Sequence, residues 1–102
     1  MRENGEQTLK VTVQYFAIIR ELVNLREEVL HLKDGSTVLE LLAFLSSKHQ
    51  ELKEYIIDPK TGEPRTSIQY LIGDKLISAL NGFSTTLQDG NVFAIIPPVG
   101  GG

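Results

Sequence analysis

The chain has 102 residues, enough for one small domain with a single modest core and too few for a catalytic cleft between two domains. It has 13 acidic and 10 basic residues, a net charge of −3, and no basic run interleaved with aromatics, so the composition disfavours nucleic-acid binding and favours protein partners. Cysteine is absent, which excludes disulfides, thiolate metal sites and cysteine nucleophiles.

The first part of the chain predicts two strands separated by a short helix. Residues 1–7 are polar and are predicted to be a disordered lead-in. From Thr8 apolar and polar residues alternate, which predicts a half-buried strand with an inner face of Leu9, Val11, Val13 and Tyr15. A short helix ending near Asn24 follows, with an apolar face of Ile18, Ile19 and Leu22. Residues 26–32 then predict a second strand that faces inwards with Leu30 and Leu32.

The clearest helix signal begins at Thr37. Thr37 and Glu40 have the spacing of a capping box, in which each side chain binds the other residue's backbone amide. The residues that follow have the spacing of an apolar helical stripe, formed by Val38, Leu41, Leu42 and Leu45. We therefore predict the main core helix here, ending at about His49 or Gln50.

The stretch from residue 51 to residue 96 predicts mostly loops and strands. Residues 51–64 are rich in turn-forming residues and are predicted to be a loop, with a short edge strand as the alternative. Residues 66–72 and 76–77 predict a hairpin, and 83–87 predict a loop or single helical turn. The final strand, Val92 to Ile96, is apolar on both faces, which is typical of a central strand. We predict an α+β ubiquitin-like β-grasp domain over residues 8–96, a mixed sheet with one main helix packed across it.

The last strand runs directly into a tail, residues 97–102, composed of Pro97, Pro98, Val99, Gly100, Gly101 and Gly102. Proline cannot donate to a sheet ladder, so the two prolines predict the end of the strand and an outward-projecting, flexible Gly-Gly tail. Glycine has no side chain, so such a tail fits a narrow channel. Its α-carboxylate, with a pKa of about 3.5, is ionised at neutral pH. We interpret that carboxylate as the reactive group; the alternative is an inert tail on a non-covalent binding domain.

Four stretches of the sequence resemble the small subunit of molybdopterin synthase, a sulfur carrier with the ubiquitin-like fold. Residues 13–21 are similar to that family's first strand and Phe-Ala-x-x-Arg-Glu motif, and residues 36–42 to its capped helix. Residues 87–91 and 94–102 resemble its Leu-x-Asp-Gly-Asp turn and its Pro-Pro-Val-x-Gly-Gly terminus. Asn91 stands where the family has aspartate, and Gly73-Asp74-Lys75 where relatives have Asn-Gly-Arg.

The resemblance implies that an ATP-dependent activating enzyme, an adenylyltransferase and sulfurtransferase, adenylates Gly102, and that sulfur then replaces AMP to give a C-terminal thiocarboxylate. ATP is used in trans and no cofactor is bound, because the sequence has no phosphate-cradling glycine loop. The tail would enter the large subunit of a heterotetrameric synthase. There the thiocarboxylate would supply sulfur to a pterin precursor of the dithiolene that binds molybdenum or tungsten, so this subunit is a donor and not the catalytic subunit.

The resemblance also implies roles for individual residues. Gly102 carries the sulfur, Gly101 and Gly100 permit close approach within the channel, and Pro97, Pro98 and Val99 complete the partner-binding tail. Phe16 and Arg20 match positions near the partner surface, although Phe16 fits a core position equally well.

Two other functions use the same activation step. A ubiquitin-like protein modifier would be joined through its terminal glycine to lysines of target proteins. A sulfur carrier of another pathway, such as thiazole synthesis, would deliver sulfur to a different small molecule. The Pro-Pro-Val step and the Asp89-Gly90 turn favour the molybdopterin group.

The remaining polar residues give no competing site. His31 and His49 lack the spacing of metal ligands, so we predict no metal site. Glu27, Glu28, Glu51 and Glu54 are interpreted as solvated faces, and Phe93 and Ile95 as covered core. No apolar run approaches the ~20 residues that span a bilayer, so we expect a soluble, cytoplasmic protein.

Overall fold

The structure, a computed structural model, describes residues 7–98. The strands are β1 (Thr8–Tyr15), β2 (Glu27–Lys33), β3 (Gln69–Ile72), β4 (Lys75–Leu76) and β5 (Val92–Ile96). The helices are α1 (Ala17–Val23), α2 (Val38–Lys48) and α3 (Gln50–Ile56), with two short 3-10 turns at Ile77–Ala79 and Gly82–Ser84. The lead-in predicted for residues 1–7 lies outside the described residues except for Gln7, whose carbonyl accepts a hydrogen bond from Asp34 N–H.

The strands form one five-stranded mixed sheet in the order β2-β1-β5-β3-β4. β1 and β5 are parallel, and the other neighbouring strands are antiparallel. The strand order places β5 at the centre of the sheet, as its apolar sequence predicts. Tyr15 lies opposite Ile95, and Gln69 lies opposite Ile96. β1 and β5 therefore end at the same edge of the sheet, which we call the tail edge.

One face of the sheet is covered by the helices and contains the core. The predicted inner residues of β1 and β2 are all buried, as are Phe93 and Ile95. α2 contributes the predicted stripe, Val38, Leu41, Leu42 and Leu45, each fully buried. The capping box is also present, since Glu40 N–H donates to Thr37 Oγ1 and Thr37 N–H donates to Glu40 Oε1. This arrangement is the β-grasp fold predicted from the sequence.

Three local predictions are wrong. Residues 51–56, predicted as the start of a loop, belong to α3, which buries Leu52 and Ile56 against the core. The loop and edge-strand prediction holds only beyond it, where Ile57 and Pro64 form an isolated antiparallel bridge. The strand predicted over 66–72 begins only at Gln69. α1 buries Ile19 and Val23, which are four residues apart and share one helix face, and it leaves Leu22 half-buried and Ile18 exposed.

Candidate functional site

The tail edge is where the chain leaves the folded domain. β5 ends at Ile96, and the two prolines follow directly, as predicted from their inability to continue a sheet ladder. Pro97 is buried and Pro98 is exposed, so the body of the domain ends between them. The predicted reactive residues Gly101 and Gly102, and the predicted partner-binding residues Val99 and Gly100, lie outside the described residues. The structure therefore shows the surface that surrounds the base of the tail.

Phe16 and Arg20, the predicted partner-surface residues, lie on one side of this edge. Phe16 follows the last residue of β1 and is half-buried. Its side chain is therefore neither a fully buried core residue nor a fully exposed surface residue. The Arg20 guanidinium carbon lies 5.8 Å from the centroid of the Phe16 ring, and Arg20 Nε donates to the Tyr15 carbonyl at 3.2 Å. Both side chains line an open cavity of about 460 Å³ together with Arg26 and Glu27. The structure thus brings the two predicted residues together at the tail edge.

A second cavity, of about 320 Å³, lies on the other side of the edge. Pro98 lines it, so the first residues of the tail form part of its wall. Arg65, Tyr55 and Ile68 form much of the remaining lining, with Glu54 and Ser67. No local sequence pattern indicates this cavity, because its lining residues come from α3, the segment before β3 and the tail.

The uncovered face of the sheet carries an apolar strip that we call the open-face patch. Its members alternate with buried core residues along β5 and β3 and continue onto β4; they are Leu71, Leu76, Val92, Ala94 and Ile96. Leu76 and Val92 are 40% and 37% exposed, although both are large apolar side chains. Because the patch runs along β5 to the residue that precedes Pro97, a protein that covers it also reaches the tail. Leu71 and Ile96 are half-buried and Ala94 is buried. Large apolar side chains left partly exposed on one face are typical of a protein-interaction site.

Glu28, interpreted from the sequence as part of a solvated face, is in fact the centre of a buried polar cluster. Its carboxylate lies 2.6 Å from both Tyr15 Oη and His49 Nε2 and 2.7 Å from Lys48 Nζ, and the side chain is only 10% exposed. Burial alone would raise the pKa of Glu28, but hydrogen bonds from Lys48, Tyr15 and His49 outweigh it and hold the pKa below its usual value. Burial, with the Glu28 hydrogen bond and charge, strongly raises the pKa of Tyr15. The cluster joins the end of β1 to the α2–α3 junction beneath the tail edge.

The described part of the chain contains neither a candidate metal site nor a membrane-spanning helix. Within residues 7–98, no group of three or more His, Asp or Glu side chains could hold a metal ion. None of the helices there is long and apolar enough to cross a membrane. The features that the structure does show are the open-face patch and a tail edge with three arginines, Arg20, Arg26 and Arg65.

The comparisons with known proteins point to one family. The ThiS family matches residues 13–102, which includes the tail. Small archaeal modifier protein 3 from Haloferax volcanii is 28% identical over 94 residues, covering 92% of this chain and all of that protein. The solution structure of small archaeal modifier protein 1 from Methanosarcina acetivorans has a TM-score of 0.83 and 31% identity, covering 94% of this chain and 99% of that one.

A Pyrococcus furiosus protein provisionally named molybdopterin converting factor subunit 1 is similar at a TM-score of 0.72 and 26% identity, covering 89% of this chain and 99% of that one. The relatives therefore include small modifiers as well as a molybdopterin-type protein, and the resemblance drawn from the motifs holds at the level of the broader family. The chain belongs to the ThiS family, the ubiquitin-like sulfur carriers and modifiers.

Proposed function

We propose that this protein is a sulfur carrier of molybdopterin biosynthesis and that Gly102 is its reacting residue. The observation that carries the proposal is that the match to the ThiS family extends through residue 102. It includes the tail, which follows a central strand that ends at Ile96. Membership of the ThiS family supports the proposal that the terminal carboxyl group of this chain is activated. The Pro-Pro-Val step, the Asp89-Gly90 turn and the Pyrococcus furiosus relative favour the pterin as the acceptor.

The chemistry follows from the state of a carboxylate at neutral pH. An ionised carboxylate is a poor electrophile, so it first attacks the α-phosphate of ATP on an activating enzyme and releases pyrophosphate. A sulfur nucleophile then displaces AMP and leaves the thiocarboxylate on Gly102. Two further glycines behind it keep the channel free of side chains, and the two prolines restrict the conformations that the tail loses on binding. The domain itself acts as the handle that both partner enzymes hold.

The open-face patch is the proposed docking surface for those enzymes. Burying exposed side chains such as Leu76 and Val92 contributes about 25 cal/mol per Å² of apolar area, and the patch leads directly to the tail. We propose the large synthase subunit and the adenylating sulfurtransferase as the two partners, in turn, of this face. The cytoplasm is the proposed location, since the activation step consumes ATP.

A second function is favoured by two of the relatives, which are named small archaeal modifier proteins. In that case the adenylated Gly102 would be transferred to a lysine amine of a target protein, giving an isopeptide bond. Activation is the same in both functions, and the acceptor is what differs.

The acceptor experiment separates these two functions. Thiocarboxylated protein is mixed with the source organism's large synthase subunit and the pterin precursor. In a parallel reaction the untreated chain is mixed with the activating enzyme, ATP and added cell proteins. A carrier is expected to return to the plain carboxylate as the dithiolene forms. If the precursor stays unchanged while the chain becomes attached to lysines of added cell proteins, the modifier function is the correct one.

Leu76→Asp is expected to weaken docking without unfolding the domain. Leu76 is 40% exposed on the open-face patch, so the new carboxylate would be desolvated at the interface. The KM of the activating enzyme for the carrier should rise at least about tenfold. Leu39→Asp is the matched control, since Leu39 is 49% exposed on α2, away from the open face. Equal KM values for the two variants would exclude the open-face patch as the docking site.

A further inference from the structure

The arginines of the domain are concentrated where the tail leaves it. Arg20, Arg26 and Arg65 are the arginines of the described residues, and all three lie at the tail edge. Arg26 is placed there by its carbonyl, which accepts from Tyr15 N–H at 2.9 Å. The chain as a whole carries a net charge of −3. A concentration of guanidinium groups at one edge therefore stands out against the overall acidic character.

Arg65 is held in place on three sides. Its backbone N–H donates to the Ile56 carbonyl at 2.7 Å, and its own carbonyl accepts from Tyr70 Oη at 3.2 Å. Its side-chain Nε donates to the Tyr55 carbonyl at 3.2 Å. Its charge lowers the pKa of Tyr70, although burial of that phenol outweighs the effect and raises the pKa overall. The guanidinium is thus pre-oriented beside Pro98, which lines the same cavity.

Arg20 is held in the same way on the opposite side of the edge. Its Nε donates to the Tyr15 carbonyl, and its guanidinium lies against the Phe16 ring. Within residues 7–98, neither Arg20 nor Arg65 forms an ion pair, although Glu27 and Glu54 line the two cavities. In both arginines the Nε group is used for anchoring and the terminal amino groups remain available. Anchoring reduces the rotamer entropy that an arginine loses when it binds a planar anion in bidentate fashion.

We propose that Arg20 and Arg65 are a two-point recognition element for carboxylate side chains around the mouth of the channel that receives the tail. The partner is a protein with Asp or Glu residues on both sides of that opening. This proposal rests on the proposed function, because it assumes that the tail is inserted into an enzyme.

The phosphates of the nucleotide are a poorer fit to these arginines. Residues 99–102 span about 13 Å when extended, at ~3.3 Å per residue. The reacting carboxyl and the ATP phosphates would lie at the far end of that length, whereas Arg65 lies beside Pro98. The anions within reach of the tail edge are instead the Asp and Glu carboxylates of the protein that encloses the tail.

The test is the steady-state kinetics of adenylation by the source organism's activating enzyme, followed by pyrophosphate release. Arg65→Gln should raise the KM for the carrier about tenfold and leave kcat unchanged, because one charge-assisted contact is lost. In the double variant Arg20→Gln/Arg65→Gln, the KM for the carrier should rise about a hundredfold, and it should depend less steeply on salt concentration than the wild-type KM does. Arg65→Lys should recover only part of the loss, because lysine keeps the charge without the planar geometry.

Lys53→Gln is the matched control, since Lys53 is an exposed cation on α3 that lines neither of the two tail-edge cavities and is not part of the open-face patch. Equal KM values for Arg65→Gln and Lys53→Gln, with equal melting temperatures, would overturn the inference. So would a change in the KM for ATP, which would indicate a nucleotide contact. If the wild-type chain is never adenylated, the proposed function itself fails and this inference with it. Should Arg65→Gln be unfolded, Arg65→Lys and Arg20→Gln decide the question by the same kinetic criterion.

Discussion

Gly101→Val is expected to abolish sulfur loading, with a loss of at least about a hundredfold in kcat/KM for the activating enzyme. The reason is steric: a channel that admits a chain of glycines has no room for a branched side chain next to the reacting carboxyl. Deletion of Gly102 should have the same effect, because it withdraws the carboxyl by one residue. Intact mass after incubation with the enzyme, ATP and a sulfur source measures the loaded fraction directly.

Gly5→Val is the matched control for this experiment. It introduces the same side chain at a glycine in the polar N-terminal segment, away from the tail in sequence. Loading of this variant should equal that of the wild type. Normal loading of Gly101→Val would show that residue 101 does not enter a narrow channel and would contradict the assignment of Gly102.

Glu28→Ala is expected to destabilise the domain by about 2 kcal/mol, although Glu28 lies outside the proposed reaction. The substitution leaves Tyr15 Oη and the largely buried His49 ring without their shared acceptor. Lys48 contributes less, because its side chain is 46% exposed and its pairing is screened by solvent. Urea denaturation at neutral pH measures the loss.

Glu27→Gln provides the comparison for this second experiment. Glu27 is the exposed neighbour of Glu28, so removing its charge should change stability by less than about 0.5 kcal/mol. A similar small change for Glu28→Ala would mean that the buried cluster does not stabilise the fold.

The same cluster predicts a pH dependence. The lowered pKa of Glu28 means that its contribution is fully present above the carboxyl's unfolded pKa, about 4.3, and is lost as pH falls through the lower folded value. The stability difference between the wild type and Glu28→Gln should therefore shrink as the pH falls below about 4.3. A difference that grows as the pH falls below that value would contradict this assignment.

The parts of the fold with strong local patterns could be predicted from the sequence. The alternation over β1, the capping box at Thr37 and the apolar run of β5 all specify their elements through short-range physics. α3 was missed because its apolar residues were grouped with the turn residues that follow. Leu52, Tyr55 and Ile56 have helical spacing, and that signal could have identified the helix.

The candidate site was only partly predictable. The tail, Phe16 and Arg20 were identified from motifs, whereas the buried role of Glu28 was not. A signal for it existed, since Glu28 has the same strand parity as the buried Leu30 and Leu32. No local pattern indicates Arg65, because its position depends on contacts with Tyr55 and Tyr70 that only the tertiary structure brings together.

The intact mass of the wild-type chain after incubation with the activating enzyme, ATP and a sulfur source tests whether this protein is a sulfur carrier. We expect a gain of about 16 Da, from replacement of one carboxylate oxygen by sulfur, located by fragmentation at Gly102. An unchanged mass under conditions in which the enzyme loads another carrier would contradict the assignment of this protein as a sulfur carrier.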